Sequence, residues 1–263
     1  MVFNTETDIP SSTIKELKKI IKSIKTSRIE CCGIFTHFAV ADEAEDGAEF
    51  TADQYENFID AIDRLGCCGI QFSLRHCANS AAIFDKPSVG DLPDVHLDMV
   101  RAGVVLYGIA PSGVTRNLPE LRPVMALKSV ISHIKTIQAG DTVSYGRTYT
   151  ADAPRVVATV PIGYADGFWR LNGNGNCQML VREQLCPVIG RVCMDQIMVD
   201  VTDIQEELYV GNHAVMLGKS RDAEISAETL GAMCHSFNYE GVCTFMPRVA
   251  RVYYINGRME QSV

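Results

Sequence analysis

Residues 140–169 read GDTVSYGRTYTADAPRVVATVPIGYADGFW, and the rest of the chain is organised around this stretch. Two tyrosine-bearing turns, Val143-Ser144-Tyr145-Gly146 and Ile162-Gly163-Tyr164-Ala165-Asp166-Gly167, flank the apolar run 156–160. A run this apolar reads as a buried strand. Turns at strand ends are where a rigid scaffold presents chemistry. Each tyrosine stands beside a glycine, which permits a sharp turn or a close approach of backbone to ligand. On composition alone the plainer reading is two core tyrosines at strand ends.

The chain has 263 residues, of which 47% are hydrophobic, enough for one large or two modest domains. No apolar run is long enough to span a bilayer, and Met1 opens no basic-then-apolar signal segment. The net charge is −8 with no basic cluster to attract a nucleic-acid backbone, so neither membrane nor nucleic acid is expected as a partner. Ten cysteines include two adjacent pairs, Cys31-Cys32 and Cys67-Cys68, and no CxxC. They read as reduced core thiols of a cytoplasmic protein rather than a disulfide framework. The six histidines show no ligand spacing relative to them, so no metal is expected.

In chain order, a helix is predicted over 13–27, capped by Thr13 and Glu16, with Ile14, Leu17, Ile20, Ile21 and Ile24 on one face. Strands are predicted over 31–40, 69–73 and 99–108. A second helix is predicted over 52–65, capped by Thr51 and Gln54, and a short one over 81–84. Alternating strand and helix imply βαβ units and a parallel sheet. His37, Asn79 and Ser80 fall at strand carboxyl ends, where such sheets bind ligands. A full barrel of this kind needs about 250 residues, so the segment is expected to begin inside one. After a proline-bearing loop at 116–123, strands dominate: 124–137, 156–162, 178–181, 187–192, 196–201 and 213–217, with one helix over 227–236. The fold class expected is therefore α/β plus mainly β. It places the C-terminal part of a (β/α)8 barrel in residues 1–122 and a β domain in residues 123–263.

Seven strings, GIFTHFAVADE, RHCANSAA, DMVRAGVVLYGIAPS, VSYGRTYT, PIGYADG, IGRVCMDQIMVD and SFNYE, occur in one order from about Ile29 onward. In wording and order they resemble the alanine racemase family. The resemblance implies a pyridoxal 5'-phosphate (PLP) barrel, a C-terminal β domain, alanine as substrate, and a homodimer whose sites draw on both subunits. Asn79, Ser80, the Gly103-Val104 backbone and Tyr239 match the family's phosphate side, where hydroxyls and N–H groups suit a dianion. Arg101 matches the arginine facing the pyridine nitrogen. A guanidinium keeps its proton, so that nitrogen stays unprotonated and the ring is a weaker electron sink. His37 matches the histidine linking this arginine toward the catalytic tyrosine. Tyr145 matches that tyrosine, the proton acceptor and donor on one face of the substrate. As an acid–base group it needs a positive neighbour, for which the His37–Arg101 pair is the expected source. Met194 and Tyr164 match positions near the substrate carboxylate and the entrance. Without the resemblance, His37 reads as a satisfied core histidine and Arg101 as a salt-bridge partner.

The sequence also departs from the family. Racemisation needs a proton-transfer group on each face of the α-carbon. The second is the Schiff-base lysine of a KANAYG-like string, and none of the nine lysines stands in such a string. The arginine that binds the substrate carboxylate would precede Met1-Val2-Phe3. Gly241 replaces an aliphatic residue and Glu183 a turn glycine. The chain is thus expected to be truncated relative to a complete racemase and inactive alone, with a separate N-terminal fragment as a possible partner. The alternative is a non-catalytic remnant, a dimerising or PLP-binding module. A related amino-acid decarboxylase is disfavoured by the Tyr145 and Tyr164 strings, and Tyr239 points to alanine over serine.

Overall fold

The computed structural model describes residues 10–24, 30–84 and 95–262. Met1-Val2-Phe3, Lys25, Lys86 and the last turn of the helix predicted over 13–27 lie outside these residues. Two units are distinguished, Met1–Arg122 and Pro123–Val263.

In the first unit, α1 (Ser11–Ile24) buries Ile14, Leu17 and Ile21. It starts two residues before the predicted cap, because the Pro10 carbonyl accepts from Thr13 and Ile14 N–H. Ile20, predicted on the buried face, is exposed. Strand β1 is only Gly33–Phe35 within the run predicted as 31–40. Helix α2 (Ala44–Gly66) begins well ahead of the predicted Thr51 cap. Glu45 and Asp46 suit its N-terminal dipole. Gly47, an apparent breaker, is required because a Cβ there would sit 2.1 Å from the Val40 carbonyl oxygen. Thr51 and Gln54 are therefore buried mid-helix residues, not caps.

Gln54 ties α2 to the end of β1. Its Nε2 donates to Thr36 Oγ1 (3.0 Å) and the His37 carbonyl (2.8 Å), and its Oε1 accepts from Ala39 N–H (3.1 Å). Gln54→Ala strips partners from the His37 C=O and Ala39 N–H, and is expected to cost about 2–3 kcal/mol in urea unfolding.

Strand β2 (Leu74–His76) follows the run predicted over 69–73 rather than occupying it. The predicted run is instead the exit from α2, with Gly69 at φ +73°. β1 and β2 pair in parallel, with Gly33 opposite Leu74 and Phe35 opposite His76. Helix α3 (Ser80–Phe84) comes next. The strand predicted over 99–108 is absent. Arg101 N–H bonds the Ala78 carbonyl (3.0 Å) and residues 104–107 form a 3-10 turn ending at Gly108 in the left-handed region. Phe38, Phe58, Ala61, Leu65, Cys77 and Ala78 form the core beneath. Fully burying each large apolar side chain contributes about 1.5–3 kcal/mol.

The second unit is mainly β. Its strands are β3 (Leu127–Val130), β4 (His133–Ile137), β5 (Thr142–Val143), β6 (Tyr149–Thr150), β7 (Arg155–Val160), β8 (Gln178–Val181), β9 (Gln184–Ile189), β10 (Ile197–Asp200), β11 (His213–Ser220) and β12 (Ala223–Ile225). Helices α4 (Ala227–Met233) and α5 (Asn238–Cys243) precede the hairpin β13 (Val252–Ile255) and β14 (Arg258–Ser262). Among the described residues, an eight-stranded sheet runs β12-β11-β8-β9-β10-β7-β4, with β3 also paired to β11. The apolar stretch of the opening sequence is β7, the partner of both β4 and β10. Val157, Ala158 and Val160 are buried. The turn 144–148 closes a separate hairpin, β5–β6.

All ten cysteines are free thiols. Five are buried (Cys77, Cys177, Cys186, Cys193, Cys234), whereas Cys31, Cys32, Cys67, Cys68 and Cys243 reach the surface, so the core-thiol expectation holds for half of them. Among the described residues no His/Cys/Asp/Glu group could hold a metal, and no helix is long and apolar enough to cross a membrane.

Candidate active site

The parallel pair β1–β2 delivers two histidines to one place, and Arg101 joins them. Arg101 Nη1 lies 2.6 Å from His76 Nδ1 and Nη2 lies 3.1 Å from His37 Nδ1. Nη2 also donates to the Thr36 and Cys77 carbonyls, both at 3.0 Å. Phe35 and His76 stack with centroids 5.1 Å apart, and the guanidinium carbon lies 5.4 Å from the Phe35 centroid. A guanidinium has only donors. Each imidazole must therefore accept through Nδ1 and keep its proton on Nε2. Burial first, and the Arg101 charge second, hold both histidines below their ordinary pKa. Both are thus neutral, and the positive charge of the expected His37–Arg101 pair rests on Arg101 alone. The charge acting on either ring comes from Arg101, with no lysine contributing among the described residues. Burial pushes the neighbouring Cys77 thiol up to about 12, so it stays protonated. The arginine's Nε–H has no protein acceptor among the described residues, leaving that edge for a ligand.

His76 carries no assignment in the sequence reading. It stands in RHCANSAA three residues before Asn79, but nothing in that string marks it. Only the parallel register, which sets it opposite Phe35, shows why it meets Arg101.

The depressed histidines give stability a definite pH dependence. An unfolded histidine titrates near about 6.5, so between there and the lower folded pKa the unfolded chain binds more protons. Stability is fully present above the unfolded value and is lost as pH falls through the folded one. Urea unfolding of the wild type is expected to weaken between pH 7.5 and 5.5, and His37→Gln with His76→Gln is expected to flatten that slope.

A second group lies beside this one. Ser80 is buried at the start of α3, and its Oγ accepts from Gly103 N–H at 2.8 Å. Its own O–H remains a donor. Asn79 bridges, with Nδ2 to the Phe38 carbonyl (3.3 Å) and Oδ1 from Ala82 N–H (3.2 Å). Gly103 N–H is thus spent on Ser80, while Val104 N–H donates to no protein acceptor among the described residues. A hydroxyl, a free amide and a nearby guanidinium edge form a donor set that fits a phosphorylated pyridine.

The other predicted residues belong to the second unit. Tyr145 lies on a turn in which Ser144 (φ 68°), Gly146 (φ 74°) and Arg147 (φ 53°) are left-handed. Ser144 Oγ donates to the Arg191 carbonyl (2.6 Å) and lies 3.7 Å from Cys193 Sγ, docking this turn on the segment that leads to Met194. Tyr164 N–H bonds the Cys193 carbonyl (3.1 Å) and Ala165 N–H the Met194 carbonyl (2.9 Å). Gly163 makes this zipper possible, since a Cβ would sit 2.4 Å from the Cys193 and Met194 carbonyl oxygens. Asp166 secures the loop through Gly163 N–H (2.8 Å) and Arg248 (3.0 Å). Tyr145 is 70% exposed, Tyr164 41% and Met194 55%. Tyr239 stands apart on α5, half-buried, its ring 5.5 Å from Phe237.

Residues 124–253 match the description "Alanine racemase, C-terminal domain", and residues 12–111 match "Alanine racemase, N-terminal domain". The chain belongs to the alanine racemase family. Alanine racemase of Clostridium tetani is 38% identical over 246 residues, covering 93% of this chain and 61% of that protein. The crystal structure of alanine racemase from Bacillus anthracis with bound L-Ala-P superposes with TM-score 0.88 at 32% identity, covering 100% of this chain and 66% of that one. An alanine racemase from Bartonella henselae with covalently bound pyridoxal phosphate shares the fold at TM-score 0.74 and 23% identity, covering 93% and 62%. The chain thus spans about six-tenths of the length of the curated relatives it matches.

Gly241, expected from the sequence to depart from the family's pattern, lies on α5. It is buried in α5, yet an added Cβ would meet nothing within 4 Å. Gly241→Ala is expected to raise stability by about 1 kcal/mol through helix propensity, read as a higher thermal midpoint.

Proposed function

We propose that this chain is a racemase polypeptide that binds pyridoxal phosphate and serves the interconversion of L- and D-alanine in the cytoplasm. The observation that carries the reading is Arg101, fixed by two neutral imidazoles with its Nε–H unspent. Bound there, pyridoxal phosphate supplies the electron sink that acidifies the amino acid's α-C–H. Arg101 holds the ring edge and, unable to give up its proton, leaves the pyridine nitrogen neutral. Ser80 O–H and Val104 N–H bind the phosphate, Asn79 fixes the Ser80 turn, Gly103 sets the Ser80 hydroxyl, and Tyr239 adds a phenol from another subunit or the same one. His37 orients the guanidinium.

Tyr145 holds and moves the proton on one face of the α-carbon. Its exposure fits a phenol that reaches another subunit's cofactor in a homodimer, with Tyr164 and Met194 lining the entrance beside it. The opposite face needs an amine. Among the described residues no lysine contributes charge at His37, His76 or Arg101, so we propose that these residues bind the cofactor without racemising alanine by themselves, the amine coming from outside them.

Purified chain titrated with pyridoxal phosphate is expected to show saturable uptake by absorbance, and no exchange of L- for D-alanine. Adding a polypeptide that carries the KANAYG-like lysine string is expected to restore exchange. Turnover by these 263 residues alone would sink the requirement for an amine from outside them. Absence of uptake would leave the dimerising-module reading, which the outward-facing Tyr145 and Met194 also suit.

A further inference from the structure

On the second unit a cleft of about 290 Å³ is walled by Lys128, Arg182, Asn212, His213, Lys219 and Arg221 among others. No carboxylate lines it, although the chain carries a net charge of −8. Three of the lining cations pair with carboxylates that are not among the lining residues. Glu206 pairs with Arg182 (3.6 Å) and Arg221 (3.5 Å), Glu183 with Arg221 (3.1 Å), and Glu224 with Lys219 (3.7 Å). Lys128 and His213 pair with no carboxylate among the described residues. Arg182 Nε is buried without a hydrogen-bond partner.

The backbone is held in place for this arrangement. Arg182, Glu183 and Arg221 all adopt left-handed φ (51°, 67°, 52°) without being glycine. Glu183 accepts from Asp222 N–H (3.0 Å) and Arg221, which clasps the two turns together. Arg182-Glu183 and Arg221-Asp222 are the two-residue turns of the β8–β9 and β11–β12 hairpins, where left-handed φ is ordinary, and the clasp brings their charged side chains together.

We propose that this cleft binds a small dianionic oxyanion, orthophosphate or a phosphate monoester. Arg182 and Arg221 supply directional donors, Lys128 and Lys219 supply charge, and Asn212 and His213 complete the polar wall. Guanidinium pairs are suited to phosphate geometry. The small size of this half-open cleft suits a small anion rather than a nucleic-acid backbone, which needs an extended basic stripe.

The test uses the full chain, titrated calorimetrically with inorganic phosphate and, separately, with glycerol 3-phosphate, at an ionic strength held constant with sodium chloride. Saturable binding is expected, and the tighter of the two ligands identifies the free or esterified form. Lys128→Gln with Lys219→Gln, both exposed and set in the β3 and β11 ladders by backbone bonds that the change leaves intact, is expected to weaken it about tenfold or more. Ser80→Ala, which alters the proposed cofactor pocket, is expected to leave it unchanged, so this site and the cofactor reading fail separately. Backbone amide shifts of the unmodified chain are expected at 182, 212–213 and 219–221. Non-saturating heats, binding abolished by Ser80→Ala alone, unchanged affinity in the double variant, or shifts confined to 79–80 and 103–104 would each overturn the proposal.

Discussion

Arg101→Leu is expected to weaken pyridoxal phosphate uptake by about 100-fold, the equivalent of roughly 2.7 kcal/mol. The same change is expected to lower stability by about 2–5 kcal/mol. The guanidinium is the shared donor for His37, His76 and the Thr36 and Cys77 carbonyls. Leucine fills the volume and supplies no donor, so the two Nδ1 acceptors face an apolar group. The His76–Phe35 stack and β1–β2 pairing then rest on packing alone. Arg101→Lys tests the geometry separately, because an ammonium restores charge but cannot span both imidazoles. It is expected to recover part of the stability and little of the affinity. Equal uptake by wild type and Arg101→Leu, measured by absorbance titration, would remove Arg101 from the cofactor site.

Gly163→Ala is expected to cost about 3 kcal/mol, roughly 6–12 °C of thermal midpoint. Its φ of −155° is ordinary extended backbone, so strain at this residue is not the cause. The cause is contact, because an added methyl would fall 2.4 Å from two carbonyl oxygens. Relief requires the Tyr164 loop to part from the 193–194 segment, which breaks the Tyr164–Cys193 and Ala165–Met194 bonds. Amide exchange is therefore expected to accelerate at residues 164–165 while β4 and β7 remain protected. Wild-type stability and unchanged exchange in the variant would show that the close approach is absent in solution.

Much of the helix reading followed from spacing. Three of the five residues predicted on the buried face of α1 are buried; of the five that spacing puts on the buried face of α2, Tyr55, Phe58 and Leu65 are buried and Ile59 and Ile62 only half-buried. Helix α2 starts at Ala44, ahead of the predicted 52, and Gly47 within it fits against the Val40 carbonyl where a Cβ would not. Thr51 and Gln54 satisfy a capping pattern and a buried i, i+3 pair equally well. Strand-like runs at 69–73 and 99–108 bury only Ile70 and Val104 and leave Met99, Val100, Leu106 and Tyr107 exposed, so hydrophobicity there reflects neither a core strand nor a ladder. Glycine turns at Gly69 and Gly108 break the pairing that hydrophobicity suggests.

The site divides along the same line. Asn79, Ser80 and Tyr145 could be picked out because short strings carry them, and a turn chemistry of Gly, Ser and Tyr is written within a few residues. His76 could not, since its importance lies in a register between strands 41 residues apart in sequence and in an arginine 25 residues further on. Which atoms are protonated was equally out of reach. Residue types name the candidates, but only the placement of one donor-only guanidinium against two Nδ1 atoms sets the tautomers and puts the charge on Arg101. Local order is encoded in neighbouring residues, while electrostatic state depends on what folding brings within hydrogen-bond distance.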